Sequence, residues 1–140
     1  MTGLEKTEAR KSSILEAATR VFSEKGFQDA TISEIAKAAG ASDAFVYEYF
    51  STKENLLFSI PREHMQKLHD KLEFHLKLIR GAVNKLHATL YMQLMYYSEH
   101  PEFTAVLLLI LKHNRKFIDT DAHKEIRDYL KVVDRYISEG

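Results

Sequence analysis

The side chains that most often perform chemistry in proteins are absent or scattered in this sequence. It contains no Cys, which excludes a disulfide scaffold, a Cys-ligated zinc site and a thiol nucleophile. The seven His form no i, i+4 pair, so we expect them to be solvated or to cap helices rather than to hold a metal: His64, His69, His75, His87, His100, His113 and His123. There is no Gly-rich phosphate loop and no defined Ser-His-Asp arrangement. The sequence therefore predicts a protein that is not an enzyme and uses no cofactor.

The composition indicates a globular, helical chain. Its 140 residues suit one compact domain or two small helical units that share a core. Gly and Pro number only five and two, which favours an all-α fold with few long loops. No stretch reaches the ~18 uncharged apolar residues of a membrane span and there is no signal peptide, so we expect a soluble, cytoplasmic protein.

The net charge is zero, from 20 basic and 20 acidic residues. Residues 1–60 carry seven Lys/Arg and nine Asp/Glu, and residues 61–140 carry thirteen and eleven. Neither half has the bulk positive charge typical of nucleic-acid-binding proteins, so binding to DNA would depend on a few well-placed cations.

The first half predicts three helices. The first apolar-periodic stretch, residues 7–25, ends at Gly26. A capping box, Thr31-Ile-Ser-Glu34, opens a second helix, and Ser42 caps a third over residues 43–50. Two short helices joined by small residues are typical of a helix-turn-helix, although an αα corner in any helical bundle gives the same pattern.

The second half predicts a long helix and three shorter ones. A second capping box, Ser51-Thr-Lys-Glu54, opens a helix that runs from about Lys53 towards Arg80 and is kinked by Pro61. The helices after Gly81 are expected over residues 82–98 and 102–113 and from about residue 120. The segment 105–111 is apolar all round, so we expect the sixth helix to be buried on every side. We place a domain boundary between residues 52 and 53, giving units 1–52 and 53–140.

A set of short motifs between Ile14 and Leu57 carries a resemblance to a known family. The motifs are Ile14-Leu-Glu-Ala-Ala18, Gly26-Phe27, Thr31-Ile-Ser-Glu-Ile-Ala36, Val46-Tyr47-Glu-Tyr49-Phe50 and Lys53-Glu-Asn-Leu-Leu57. In this combination the stretch resembles the N-terminal DNA-binding domain of the tetracycline-repressor (TetR) family of bacterial transcription regulators. The resemblance covers about a third of the chain. It implies that residues 43–50 form a recognition helix in the DNA major groove.

The resemblance also assigns DNA contacts by position. Tyr47 and Lys53 match phosphate-clamping residues, and Thr31 matches a phosphate contact at a helix N-terminus. Lys6, Arg10 and Lys11 could form an arm along the DNA backbone. The residues expected to face bases are Ser33, Ser42, Asp43, Ala44, Phe45 and Tyr49. For Phe45, contact with a thymine methyl competes with packing inside the domain, and Asp43 could accept a hydrogen bond from the amino group at cytosine N4.

In this family the C-terminal helices hold a ligand pocket and the dimer interface. Candidate pocket residues are apolar or aromatic, and core packing is the competing interpretation for each: Phe74, Leu78, Tyr91, Met92, Met95, Tyr96, Phe103, Leu107 and Leu111. The segment 117–140 looks somewhat like the fatty-acid-degradation regulators, which respond to long-chain acyl-CoA. The resemblance thus implies a ligand-responsive repressor that binds an inverted-repeat operator as a homodimer and responds to a small hydrophobic effector.

One feature departs from the family pattern. Members typically continue into two further helices that form most of the dimer interface, whereas this sequence stops at Gly140. We therefore expect a truncated or short form, in which dimerisation through residues 1–140 alone is open. The rival interpretation is a helical protein-interaction module without operator binding, which the acidic first half favours.

Overall fold

The computed structural model describes residues 2–138, without the side chains of residues 122, 125, 129 and 132. Its regular structure is helical, and no strand occurs in the part of the chain that it describes. The predicted all-α fold is confirmed. None of the helices over these residues is long and apolar enough to cross a membrane.

The first helix, α1 (Gly3–Asp29), begins earlier than the periodicity predicts. Thr2 caps it, and the carboxylate of Glu5 accepts a hydrogen bond from the N–H of Thr2 in return. Gly26 leaves the helical conformation with φ 77° and ψ 174°, and one further turn follows it. The predicted stop is therefore a sharp bend at the expected glycine.

The next two helices follow their local signals closely. Thr31 and Glu34 form the predicted capping box at the start of α2 (Ile32–Ala39). Gly40 ends α2 in the left-handed conformation, with φ 67°, which a residue with a Cβ adopts at a cost. Ser42 then caps α3 (Asp43–Phe50) by accepting a hydrogen bond from the N–H of Phe45.

The long helix α4 (Lys53–Leu76) begins at the predicted residue, but its cap lies one residue after the predicted one. Its cap is Thr52, whose hydroxyl accepts from the N–H of Asn55. Ser51 instead ends α3 with φ 60°, so the prediction of a box from Ser51 to Glu54 is wrong by one residue. Pro61 lies buried within α4, and the helix continues past it.

The remaining elements are α5 (Ala82–Glu99), α6 (Pro101–Ala105), a π-helical turn (Val106–Ile110), a 3-10 turn (Leu111–His113), α7 (Arg115–Ile118) and α8 (Asp121–Ser138). The backbone is helical without a break from residue 101 to residue 113, in agreement with the helix predicted over residues 102–113, but the prediction that this helix is buried on every side is wrong. Val106 and Leu111 are buried, but Leu108 is 49% and Leu109 is 72% exposed. The segment packs one side against α1 and α5 and leaves the other side open.

The apolar core runs through both halves of the chain. The first part of α4 contributes Leu56, Leu57 and Ile60 to the same buried cluster as Ile14 and Phe22 of α1. Further along, α4 packs against α5 and α8. The helix α4 therefore contributes to the packing of both halves of the chain.

Candidate nucleic-acid interface

The exposed side of α3 is the surface that the sequence assigns to base contacts. Val46 and Phe50 point into the core, which fixes the rotation of the helix about its axis. The opposite side exposes Asp43, Ala44 and Tyr47, and the Tyr47 side chain is 51% exposed. Three of the predicted DNA contacts therefore share one accessible face.

Two aromatic residues of α3 are half-buried and are covered by cations from α1. The rings of Phe45 and Tyr49 lie 4.7 Å apart between centroids. The Arg10 guanidinium lies 5.4 Å from the Phe45 ring centre, and the Lys11 ammonium lies 4.7 Å from that of Tyr49. The structure thus supports the packing interpretation of both rings, while the cations remain beside the exposed face of α3. Lys6, nearer the start of α1, is exposed.

Thr31 and Ser42, two predicted DNA contacts, cap helices through their hydroxyl oxygens and can still donate a hydrogen bond through their hydroxyl protons. The Thr31 hydroxyl accepts from the N–H of Glu34, and the Glu34 carboxylate accepts from the N–H of Thr31. The ammonium of Lys25, followed by the Thr31 N–H, holds the pKa of Glu34 below its ordinary value. As acceptors in their caps, the exposed Thr31 and Ser42 hydroxyls each retain a proton that could be donated to a DNA phosphate.

Lys53 lies in a different environment from the one predicted for a phosphate clamp. Its Nζ donates to the backbone carbonyls of Phe27, Gln28 and Ala30 at 2.7, 3.4 and 3.0 Å. The same ammonium lies 4.5 Å from the centre of the Phe27 ring. An ammonium has three N–H donors, and here all three face carbonyls at the end of α1. Lys53 therefore fastens the start of α4 to the end of α1, and Tyr47 remains an exposed candidate for phosphate contact.

The nine predicted pocket residues differ in their burial. Phe74, Tyr91 and Met95 lie on outer helix faces, Leu78 lies in the turn after α4, and all four are between 40% and 73% exposed. Core packing accounts for the buried residues Tyr96, Phe103 and Leu111, and Met92 and Leu107 are half-buried. The predicted residues of α5 differ in exposure because positions 91 and 95 lie on the side of the helix opposite to the buried positions 89 and 96.

Two hollows nevertheless include some of these residues. A groove of about 300 Å³ between the π turn, α7 and α8 is lined in part by Leu107, Leu111, Ile118 and Ile126. A cavity of about 430 Å³ lies where α1 meets the junction of α5 and α6, and Phe103 forms part of its wall. The groove is the more apolar of the two and is the better fit to a hydrophobic molecule.

A cluster around His64 was not predicted, because sequence spacing gave no sign of it. His64 Nδ1 lies 2.7 Å from the Tyr96 hydroxyl, and its ring stacks on Phe103 with centroids 3.9 Å apart. Burial, reinforced by His100 and Lys67, lowers the pKa of His64 to about 4. Burial also raises the pKa of Tyr96 to about 12. The pair therefore joins α4 to α5 in its uncharged form at neutral pH.

Other histidines agree better with the expectation that they cap helices. Nδ1 of His75 lies 2.7 Å from the carbonyl of Lys71, and Nδ1 of His100 lies 2.8 Å from that of Tyr96. Each bond joins residues four apart near the C-terminal end of a helix. Over the described residues, no group of three or more His, Asp or Glu is arranged to hold a metal ion.

Comparison with known proteins places the interface in context. Residues 14–60 match the family described as bacterial regulatory proteins, tetR family. The fatty acid metabolism regulator protein of Bacillus subtilis is 28% identical over 127 residues, which are 91% of this chain and 66% of that protein. The HTH-type transcriptional repressor NicS of Pseudomonas putida is 35% identical over 101 residues, 69% of this chain and 46% of the repressor. The chain thus spans just under two thirds of the first relative and under half of the second.

Solved structures give the same picture. The fatty acid degradation regulator FadR from Bacillus halodurans superposes with a TM-score of 0.85 at 28% identity, covering 94% of this chain and 68% of that one. FadR from Bacillus subtilis in complex with stearoyl-CoA gives a TM-score of 0.79 at 27% identity, covering 92% and 69%. The match extends beyond residues 14–60 into the C-terminal helices.

Proposed function

Because this chain belongs to the tetR family of bacterial regulatory proteins, we propose that it is a sequence-specific DNA-binding transcriptional regulator. It acts in the cytoplasm as a ligand-responsive repressor and has no enzymatic activity. The observation that carries this proposal is the exposed face of α3, which is held at a fixed rotation by Val46 and Phe50 and flanked by Arg10 and Lys11.

The DNA contacts divide between backbone and bases. Tyr47, Thr31, Lys6 and Arg10 supply hydroxyls and cations for phosphates, while the N-terminal part of α3 enters the major groove. Lys53 contributes by holding α4 and α1 together. With few cations on this face, affinity for one half-site is modest and falls only shallowly with salt. A homodimer that binds both halves of an inverted repeat has a higher affinity than one chain on one half-site.

The effector is a small hydrophobic molecule bound among α4 to α8. One relative is in complex with stearoyl-CoA, so we take an acyl-CoA as the first candidate. The apolar groove lined by Leu107 and Leu111 supports an aliphatic ligand. A ligand that favours one position of α4 changes the relative placement of two α3 helices, and half-sites about 34–36 Å apart tolerate little change. Operator DNA and effector then alter each other's affinity by the same factor.

The experiment is selection from random duplex DNA with the 140-residue chain at low salt, followed by binding to the enriched sequence. An inverted pair of half-sites supports an operator-binding dimer, and a lone half-site supports DNA recognition by one chain. Tyr47→Phe should weaken binding to the selected duplex about 10-fold or more, since one hydrogen bond to a charged phosphate is lost. Tyr91→Phe, on the exposed side of α5, is the matched control.

Addition of stearoyl-CoA to the complex tests the effector. A changed operator affinity supports the acyl-CoA assignment, and an unchanged one removes it while leaving DNA recognition intact. If no sequence is enriched, the regulator proposal fails and the helical protein-interaction module takes its place.

A further inference from the structure

The first residue of α3 is joined to α2 by a side-chain hydrogen bond. Ser33 Oγ donates to Asp43 Oδ2 at 2.5 Å, and both side chains are exposed. Ser33 lies in the first turn of α2, and Asp43 is the first residue of α3. The sequence treats the two as separate base-facing candidates, whereas the structure makes them one unit.

The Asp43 carboxylate can still accept a hydrogen bond from outside the domain. Asp43 Oδ2 accepts from the Ser33 hydroxyl, which fixes the orientation of the carboxylate and leaves Oδ1 as an acceptor for a partner outside the domain. Asp43 also lies in the first turn of α3, where the helix dipole stabilises negative charge. The carboxylate therefore offers a hydrogen-bond acceptor at the end of the helix that faces DNA.

The edges of the bases determine what such a group can recognise. In the major groove, guanine presents the acceptors N7 and O6 and thymine presents the acceptor O4, whereas cytosine and adenine present amino donors. A carboxylate repels the acceptors and binds the donors. Cytosine N4 is favoured over adenine N6, because adenine places the acceptor N7 beside its amino group.

We propose that Asp43 reads a cytosine amino group at one position of each half-site, and that Ser33 is the positioning residue that orients the carboxylate. This inference rests on the proposed function, since it names the base specificity of the same α3 surface. It predicts that the selected motif excludes guanine and thymine at that position on the contacted strand. One good base contact gives about 5-fold to 100-fold discrimination.

The test repeats the DNA selection with variants of the two residues. Asp43→Asn should move the preference from cytosine to adenine, because an amide donates to N7 and accepts from N6. Asp43→Ala should abolish the preference at that position and leave the rest of the motif unchanged. Ser33→Ala should keep cytosine but reduce its preference about 2-fold to 10-fold. Ser33→Thr retains the hydroxyl and should restore the preference.

The readout separates base recognition from a merely structural bond. If the Ser33–Asp43 bond only joins α2 to α3, the variants lower affinity for all sequences equally and the motif stays the same, which overturns the inference. Ser98→Ala, an exposed serine on α5, is the matched control and should select the wild-type motif. If the wild-type chain selects a motif that Asp43→Asn and Asp43→Ala also select, the inference fails while the proposed function stands. If the wild-type chain selects none, both fail.

Discussion

The contacts of Lys53 with the end of α1 predict a large loss of stability when its ammonium is removed. The Nζ donates to three backbone carbonyls, of which those of Phe27 and Ala30 lie within 3.0 Å. These carbonyls lie at the C-terminal end of a helix, where intrahelical donors are missing and cations are favoured. Lys53→Met removes the charge and the donors but keeps an apolar side chain of similar length.

The expected magnitude follows from the hydrogen bonds. A bond that involves a charged group contributes about 1.5–3 kcal/mol, but three bonds from one partly exposed ammonium do not add independently. We therefore expect Lys53→Met to lower the free energy of unfolding by about 2 kcal/mol. For a chain of this size the melting temperature should fall by about 6–8 °C. Lys71→Met, an exposed lysine on the same helix, should change the free energy of unfolding by under about 0.5 kcal/mol.

Two measurements distinguish this role from a phosphate contact. Urea unfolding followed by circular dichroism gives the change in stability, and the salt dependence of operator binding gives the number of phosphate contacts. The structure predicts lower stability with an unchanged salt slope. If stability is unaffected and the slope falls by about one, Lys53 binds phosphate and the structural role assigned to it is refuted.

Four further substitutions test the fold and the pH dependence of its stability. Gly40→Ala should destabilise the chain by about 1 kcal/mol in urea unfolding, because φ is 67° there and only a residue without Cβ adopts it without strain; an equal or higher stability would contradict this. Leu109→Ser should change the free energy of unfolding by under about 0.5 kcal/mol, because Leu109 is 72% exposed. Val106→Ala should lower it by about 2 kcal/mol, because Val106 is buried. A large loss of stability for Leu109→Ser would instead support the prediction that this helix is buried on every side. His64 has a pKa of about 4 in the folded chain against an ordinary 6.5, so the unfolded chain takes up the proton first and stability falls as pH drops from 6.5 towards 4. The loss of stability is at most about 3 kcal/mol, and it is smaller once solvent screening is included. In urea unfolding between pH 7 and 5, His64→Gln should make the free energy of unfolding less dependent on pH. An unchanged pH dependence would contradict the assignment of His64 as a buried, neutral side chain.

Local signals in the sequence predicted the helix-turn-helix well. The cap at Thr31, the left-handed turn at Gly40 and the cap at Ser42 depend on residues within a few positions of one another. Neighbouring side chains determine such features, so they can be inferred without the tertiary structure. The second capping box was misplaced because Ser51 and Thr52 can both cap, and the end of α3 took the first of them.

Features that depend on distant packing could not be predicted in this way. Lys53 meets carbonyls more than twenty residues earlier in the chain, and His64 meets Tyr96 from another helix. The apolar run at residues 105–111 gave no indication of which side would be covered, and the structure leaves Leu108 and Leu109 exposed. The predicted pocket residues of α5 differ in burial for the same reason, because opposite faces of this helix have different surroundings.

The most direct test of the central claim uses the absence of cysteine. Since the chain contains no Cys, Ala44→Cys introduces a single thiol on the exposed side of α3, to which an iron-EDTA cleavage reagent can be attached. Bound to its selected duplex, this protein should cut DNA within a few nucleotides of each half-site. The same reagent on Ser98→Cys of α5 should leave the duplex intact. Cleavage from position 98, or an uncut duplex with the reagent at position 44, would contradict the assignment of α3 as the helix that enters the DNA groove.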